Sequence, residues 1–327
     1  MILTVTPNPS LDRTYEVPSL DRGAVLRATG DRVDPGGKGV NVSRAVAAAG
    51  VRTTAVLPLG GTSGTLIAEL LGAQGVDVTA VSIAGQTRSN ISVVEPDGTL
   101  TKINAAGPEL SPEESALLLD TVRTCSGRAA WIACCGSLPR GLRPEWYADL
   151  VSRAHEAGAR IALDTSGPAL LAALPARPDV IKPNLSELAA AVGRPLSTLA
   201  DVVKAAEELR SLGAGAVLAS LGADGQLLAS AEGTFYGTAP VSRVRSNVGA
   251  GDASLAGFLI AAGPSRDGGS GGGTGAEALA CALAHGAAAV QLPGSAMPTP
   301  SDLRPEAVHV TQDLPLDLPL SEMSDEQ

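Results

Sequence analysis

"SNVGAGDASLAGF", residues 246–258, brackets Ala250 with Gly249 and Gly251, follows with Asp252, and then runs on as an apolar helical stretch. A glycine turn feeding a helix leaves backbone N–H groups unpaired at the positive end of the helix dipole, which is a site for an anion. An aspartate there can cap the helix or act as a base beside a bound anion. These residues alone leave both readings open.

Upstream of that turn, short aliphatic strands are expected at "ILTVT", "TTAVLPL", "AAWIACC", "RIALDTS", "DVIKPN" and "GAVLASLG". Amphipathic or alanine-rich helical patterns fall between them, over 42–49, 65–71, 112–122, 144–157, 185–192 and 198–212. Strand and helix in alternation imply right-handed βαβ units, hence an α/β fold with a mostly parallel central sheet and helices on both faces. Two stretches break the alternation. "RTYEV" alternates in polarity, and "SNISVVEPDGTLTKINA" reads as a hairpin turning at Asp97-Gly98. Together they predict a small β-sheet lid, from about 12–30 and 88–106, over a cleft at the carboxyl ends of the strands.

The expected organisation is a single domain over 1–310, interrupted by a glycine-serine insertion at 263–275 and followed by an acidic tail at 311–327. The insertion carries G-x-G spacing, but no strand leads into it, so it reads as a linker. The tail is proline-broken and acidic, and reads as disordered or loosely docked.

Composition narrows the function. Of 327 residues, 44% are hydrophobic and 2% aromatic, and the formal net charge is −10. Such a charge argues against bulk binding to nucleic acid or to an anionic membrane, and it requires any phosphate ligand to find a local cationic pocket or a metal counter-ion. Cys125, Cys134, Cys135 and Cys281 have no metal-type spacing and read as reduced thiols of a cytosolic protein. The opening "MILTVTPNPS" lacks a charged n-region and long apolar core, and no apolar run is long enough to span a bilayer, so a cytoplasmic location is expected.

Two further clusters carry chemistry. "DPGGKGVNVSRAVAAAG", residues 34–50, contains Gly-Lys but is no Walker A loop: Arg32 stands where the first glycine should be, and Gly39 replaces the Ser or Thr that would hold magnesium. What remains is a glycine turn entering a helix, with Lys38 and Asn41 able to face one ligand. In "TPNPSLDRT", residues 6–14, Asp12 can accept hydrogen bonds from vicinal sugar hydroxyls or make an Asx turn. No G-x-S-x-G elbow, and no G-x-G-x-x-G loop with a suitably placed acid, supports a hydrolase or an oxidoreductase.

These segments together resemble the PfkB-type, or ribokinase-like, carbohydrate kinases. "DPGGKGVNVSRAVAAAG" is similar to that family's amino-terminal signature and "SNVGAGDASLAGF" to its carboxy-terminal one. "TRSN" (87–90), "CGSLPRG" (135–141), "DTSG" (164–167), "KPNLSE" (182–187) and "SLGADG" (220–225) agree in order. "TPNPSLDRT" and "TRSN" look most like the hexose-phosphate branch. The resemblance implies ATP- and Mg2+-dependent phosphorylation of a ketohexose monophosphate, fructose 1-phosphate first, with tagatose 6-phosphate and fructose 6-phosphate as alternatives.

Residue by residue, the resemblance implies Asp252 as general base and the N–H groups of Gly249, Ala250 and Gly251 as an anion hole for the transferring phosphoryl group. Asp12, Gly36, Gly37, Asn41 and Asn90 would bind the sugar, and Lys38, Arg88 and Ser137 its phosphate. Arg88 offers a planar fork suited to phosphate oxygens, although a surface arginine on a lid strand is the plain alternative. Lys182, Asn184, Glu187, Ser220, Gly222 and Gly225 would line the nucleotide side, with Asn184 and Glu187 reaching magnesium through water. Relatives carry Thr where this chain has Asn247, which places any role of that hydroxyl in question. A homodimer through the lid strands is implied as well. A non-catalytic sugar-phosphate sensor on the same scaffold is the reading from another class, and the presence of Asp252 weighs against it.

Overall fold

The structure is a computed structural model that describes residues 1–263 and 275–321; nearly all of the glycine-serine insertion and the last residues of the acidic tail lie outside these. The central sheet has the order β14-β13-β12-β11-β10-β9-β8-β1-β4-β5. Its middle is formed by β1 (Ile2–Val5), β8 (Trp131–Cys135), β9 (Arg160–Asp164), β10 (Val180–Ile181) and β11 (Ala216–Ser220), with β4 (Thr53–Leu59) and β5 (Asp77–Ser82) on the other side of β1. Every pairing from β5 to β11 is parallel. β12 (Gln226–Ser230), β13 (Gly233–Thr238) and β14 (His309–Thr311) extend one edge in antiparallel fashion.

The inner strands are apolar on both faces because helices cover both. Leu3, Val5, Ile132, Cys134, Ile161 and Leu163 face a core shared with α3 (Pro112–Ser126), α4 (Trp146–Glu156), α5 (Gly167–Ala173), α6 (Leu185–Val192) and α7 (Leu199–Ser211). Their alternates Ile2, Trp131, Ala133, Cys135 and Ala162 face α1 (Lys38–Ala48), α8 (Ala250–Ala261) and α9 (Gly275–Ala289). The period-two alternation of strand side chains thus divides one sheet between two cores. α2 (Gly61–Ala73) closes a third core with Leu57, Leu59 and Leu11.

A separate four-stranded sheet, order β3-β2-β6-β7, contains β2 (Ser10–Glu16), β3 (Gly30–Gly36), β6 (Arg88–Val94) and β7 (Leu100–Ile103). β6 and β7 are the hairpin expected around Asp97-Gly98, where Gly98 has φ 93°. The register places Asp12 opposite Asn90, and Ser10 opposite Arg88.

Several elements differ from the sequence expectation. β3 crosses "GDRVDPG", where three charges and a proline conceal a strand. Its carboxyl end is Gly36, and α1 begins at Lys38 rather than at 42. The sheet gains β5 and the antiparallel edge, which have weaker apolar runs than the buried middle. The first residues of the tail are docked: Leu199 and Ala200 N–H donate to Leu318 and Leu316 carbonyls, and Leu314, Leu318 and Leu320 pack on the larger core. Repeated leucines between the prolines supply that anchor, which fits the docked rather than the disordered reading of these residues.

Candidate active site

Because chain order runs outward in opposite directions from β1 and β8, the carboxyl ends of these two strands form the switch point where open α/β sheets hold ligands. Gly136 and Ser137 follow β8, Asp164 ends β9, Lys182 follows β10 and Ser220 ends β11, so residues far apart in sequence arrive at one edge. A cleft of about 570 Å³ opens there beneath the lid, and Asp12, Lys38, Arg88, Asn90, Ser137 and Glu187 are among the residues that line it.

On the lid side, Asp12 Oδ1 accepts from Ser10 Oγ at 2.6 Å and from Asn90 Nδ2 at 3.0 Å. Gly36 backs directly onto this carboxyl, so that any Cβ at position 36 would collide with it. Arg88 is held by its two terminal nitrogens, which donate to Ala105 and Asn8 carbonyls at 2.8 Å each. Its Nε is buried without a hydrogen-bond partner, and burial lowers the guanidinium's pKa against the opposing pull of Asp12. An orphaned donor on a cationic side chain in a cleft wall is suited to an anion.

On the floor, Lys38 Nζ lies 2.8 Å from Asp164 Oδ1 and 3.2 Å from Glu187 Oε1, and Lys182 Nζ lies 3.0 Å from Asp164 Oδ2. Asp164 is fully buried. Burial alone would raise its pKa, but Lys182 and then Lys38 outweigh that and hold it below the usual aspartate range. Burial likewise works against the charge on Lys38, and Asp164 and Glu187 overcome it. In the sequence "DTSG" signals only an agreement in motif order. Asp164 as the hub of two cations was missed, since its partners lie on β10's exit and on α1.

Behind Lys38 stands the glycine turn. Gly249 takes a left-handed φ of 80° and is the residue preceding α8, with no side chain capping the helix. Asp252 is therefore in the first turn and not the cap. It is buried and accepts from Asn41 Nδ2 at 2.9 Å. Burial, with Asp164 adding to it, pushes Asp252 up to about 6, while Lys38, Lys182 and the Asn41 hydrogen bond pull the other way. A Cβ on Gly251 would lie 3.2 Å from Lys182 Nζ, so that ammonium borders the open helix end. Exposed Asn247 contributes its carbonyl, which accepts from Ala250 N–H at 3.4 Å.

The nucleotide-side residues divide. Asn184 and Glu187 form a reciprocal capping box at the start of α6: Asn184 Oδ1 accepts from Glu187 N–H at 2.8 Å, and Glu187 Oε2 from Asn184 N–H at 2.9 Å. The N-x-x-E spacing is the signal of such a box, a structural role beside the magnesium and nucleotide-phosphate role that the family resemblance implies. Glu187 Oε1 is the oxygen turned toward Lys38. Ser220 pairs with Asn184 in a parallel bridge, while Gly222 and Gly225 shape the tight turn from β11 into β12; of the nucleotide-side residues only Glu187 lines the cleft itself.

Comparison with known proteins agrees with this architecture. Residues 8–302 match the pfkB family carbohydrate kinases. A 1-phosphofructokinase of Rhodobacter capsulatus is 40% identical over 263 residues, which is 80% of this chain and 83% of the relative. One from Haloferax volcanii is 37% identical over 311 residues, 95% of this chain and 97% of the relative. Among solved structures, phosphofructokinase-2 of Escherichia coli in complex with fructose-6-phosphate superposes with a TM-score of 0.83 at 32% identity, covering 92% of this chain and 96% of that one. The parallel sheet, the lid and the paired glycine motifs are those of a ribokinase-like sugar kinase, and the chain belongs to the pfkB carbohydrate kinase family. It is accordingly a phosphotransferase that acts on an alcohol group.

Proposed function

We propose that the chain transfers the terminal phosphoryl group of ATP to a hydroxyl of fructose 1-phosphate, giving fructose 1,6-bisphosphate. The observation that carries this reading is Asp252: a buried carboxylate at an uncapped helix start, oriented by Asn41 and pushed up to about 6, near neutrality, where a general base is effective. The choice of sugar follows the curated relatives at 33–40% identity, which are 1-phosphofructokinases.

In the transfer, Asp252 takes the proton of the sugar hydroxyl as its oxygen bonds to the terminal phosphorus. The bond from that phosphorus to the bridging oxygen breaks, and ADP leaves with the electron pair. Main-chain N–H groups of Gly249 and Gly251 donate to the transferring oxygens, Ala250 N–H joins them by giving up its long 3.4 Å bond to the Asn247 carbonyl, and Lys182 adds charge beside them. Asp12, Gly36, Gly37, Asn41 and Asn90 hold sugar hydroxyls. Arg88, through its unpaired Nε, binds the sugar's phosphate together with Ser137 and with Lys38, which exchanges a carboxylate for the arriving anion.

Lys182, Asn184, Glu187, Ser220, Gly222 and Gly225 border the nucleotide. Glu187 Oε1 is a hard oxygen already facing a cation, and no cluster of three His, Cys, Asp or Glu occurs among the described residues. Such a donor set fits a magnesium ion that takes most of its ligands from phosphate and water, with Glu187 and Asn184 reaching it through water. When bound, magnesium neutralises charge on the nucleotide phosphates.

ADP release measured with fructose 1-phosphate, tagatose 6-phosphate and fructose 6-phosphate tests the assignment. A kcat/KM highest for fructose 1-phosphate is expected. Equal and slow turnover of all three would overturn the hexose-phosphate reading. We further infer a cytoplasmic homodimer joined through the lid, where Ile91 and Ile103 face each other across β6 and β7 and are 36% and 60% exposed. Sedimentation of the wild type and of Ile103→Glu would show whether that face holds two copies together. No described helix is long and apolar enough to cross a membrane.

A further inference from the structure

Arg44 is buried, with 7% of its surface exposed, and forms no ion pair among the described residues. A guanidinium out of water normally demands a carboxylate, and one held by neutral groups alone is costly. Its partners are Gln74 Oε1, 2.7 Å from Nε, Ser295 Oγ, 3.3 Å from Nη1, and Asn41 Oδ1, 3.2 Å from the same Nη1. Asn41 and Arg44 are one turn apart on α1 and share a face. Gln74 ends α2, and Ser295 lies in the loop beyond α9, so three elements hold the guanidinium in place.

The contact with Asn41 carries the consequence. A side-chain amide presents an oxygen at one end and an NH2 at the other, and which end faces which neighbour is set by the hydrogen-bond network. Arginine has only donors, so the end of Asn41 that meets Arg44 must be its oxygen. The NH2 then points at Asp252 Oδ2, 2.9 Å away, and donates to it. The reversed amide would set N–H against N–H at Arg44 and oxygen against carboxylate oxygen at Asp252.

We propose that Arg44 is a positioning residue for phosphoryl transfer: by fixing the orientation of the Asn41 amide, it keeps a hydrogen-bond donor aimed at the Asp252 carboxylate. Arg44 touches neither sugar nor nucleotide in this scheme. It acts through Asn41, and the proposal rests on the reading of Asp252 as the general base. Other charges face the same groups and must be held constant: Asp164, Lys38 and Lys182 around Asp252, and Asp34, Asp12 and Arg32 around Arg44; Arg44 and Asp252 also attract each other directly, so a variant that keeps the charge is needed beside one that removes it.

The test is kcat against pH for the wild type, Arg44→Met and Arg44→Lys, each alone and in an Asn41→Ala background. With Asn41 present, Arg44→Met is expected to lower kcat by about ten- to a hundred-fold, the scale of a lost outer-shell partner. Its acid limb should move to higher pH, because a carboxylate without its donor holds its proton more tightly. Arg44→Lys, also a donor without an acceptor, should recover most of that loss. In the Asn41→Ala background Arg44→Lys, which keeps the charge, should move neither kcat nor the limb further, and Arg44→Met should move both less than it does with Asn41 present. Equal effects in both backgrounds, or an unmoved limb, would overturn the proposal. Should Arg44→Met not fold, Arg44→Gln, whose amide can meet either end of Asn41 and so no longer dictates its orientation, decides: a loss as large without Asn41 as with it refutes a role through Asn41, and a loss seen only with Asn41 supports it. Asp252→Asn run in parallel separates the two readings, since retained turnover there removes the base itself, whereas a dead Asp252→Asn with additive Arg44 effects removes only the positioning role.

Discussion

Lys38 and Asp164 meet in a 2.8 Å ion pair although 126 residues separate them in the chain. One stands at the first position of α1, beneath the lid, and the other at the last position of β9, so the pair ties the sugar side of the cleft to its catalytic floor. Lys182 completes the arrangement from the other carboxylate oxygen at 3.0 Å.

Asp164→Asn is expected to be the most destabilising single change in the cleft. It leaves Lys182, whose side chain is 6% exposed, as a buried cation without its carboxylate. Breaking a buried pair from one side costs about 3–5 kcal/mol, read as a fall in the denaturant midpoint. Since the folded carboxyl titrates below its ordinary value, its stabilisation is present above the ordinary aspartate range and is lost as pH falls through the lower, folded one. The variant's deficit relative to wild type should therefore shrink in acid.

Asp252→Asn should separate activity from stability. kcat is expected to fall by about 10²–10⁴-fold, with KM for both substrates largely kept. Because the folded carboxyl is raised to about 6, its ionisation at neutral pH opposes folding, and the neutral amide should leave the Tm at pH 8 unchanged or higher. A lower Tm together with full turnover would contradict both halves.

The same raised value sets the wild-type pH profile. A base must be ionised to accept a proton, so kcat/KM should drop as pH falls through about 6 in the free enzyme. A profile flat down to pH 4 would show that another group takes the proton.

Arg88→Met removes the orphaned Nε together with the charge. A lost charge-assisted contact of about 1.5–3 kcal/mol corresponds to roughly a ten- to a hundred-fold rise in KM for the sugar phosphate. KM for ATP should stay within about threefold, given the usual scatter for distant sites. Equal changes in both constants would place Arg88 in the lid's structure rather than in anion binding.

Asn184→Ala breaks the capping box at α6, at a cost of about 0.5–2 kcal/mol by thermal melting. Asn184→Ser, which can still cap, should restore the Tm. A nucleotide KM that stays raised in the serine variant would distinguish a ligand role from the cap.

Much of the fold is legible in the chain itself. Buried parallel strands announce themselves as aliphatic runs, and "AAWIACC" and "RIALDTS" fall on β8 and β9. Strands with one wet face are harder: β3 hides behind Asp31, Arg32, Asp34 and Pro35, because lid strands are held by pairing more than by burial. The leucines that dock the tail were outweighed by its acids and prolines. At the site, "KPNLSE" carries two meanings, a helix cap and a ligand pair; its N-x-x-E spacing signals the cap, and the structure shows the reciprocal bonds made.

By itself the sequence determined the α/β plan, a glycine turn feeding a helix, and an acid at that helix's start, since these follow from local backbone geometry and the spacing of apolar residues; that the helix is uncapped and the acid lies within its first turn came from the structure. Tertiary structure alone decided that Asp164 sits between two lysines, that Arg44 orients Asn41, and that Asp252 is buried enough to titrate near neutrality. Charge and hydrogen bonding act over a few ångströms of space, and residues such as Asn41 and Asp252 come within that range only once the sheet has brought α1 and α8 side by side.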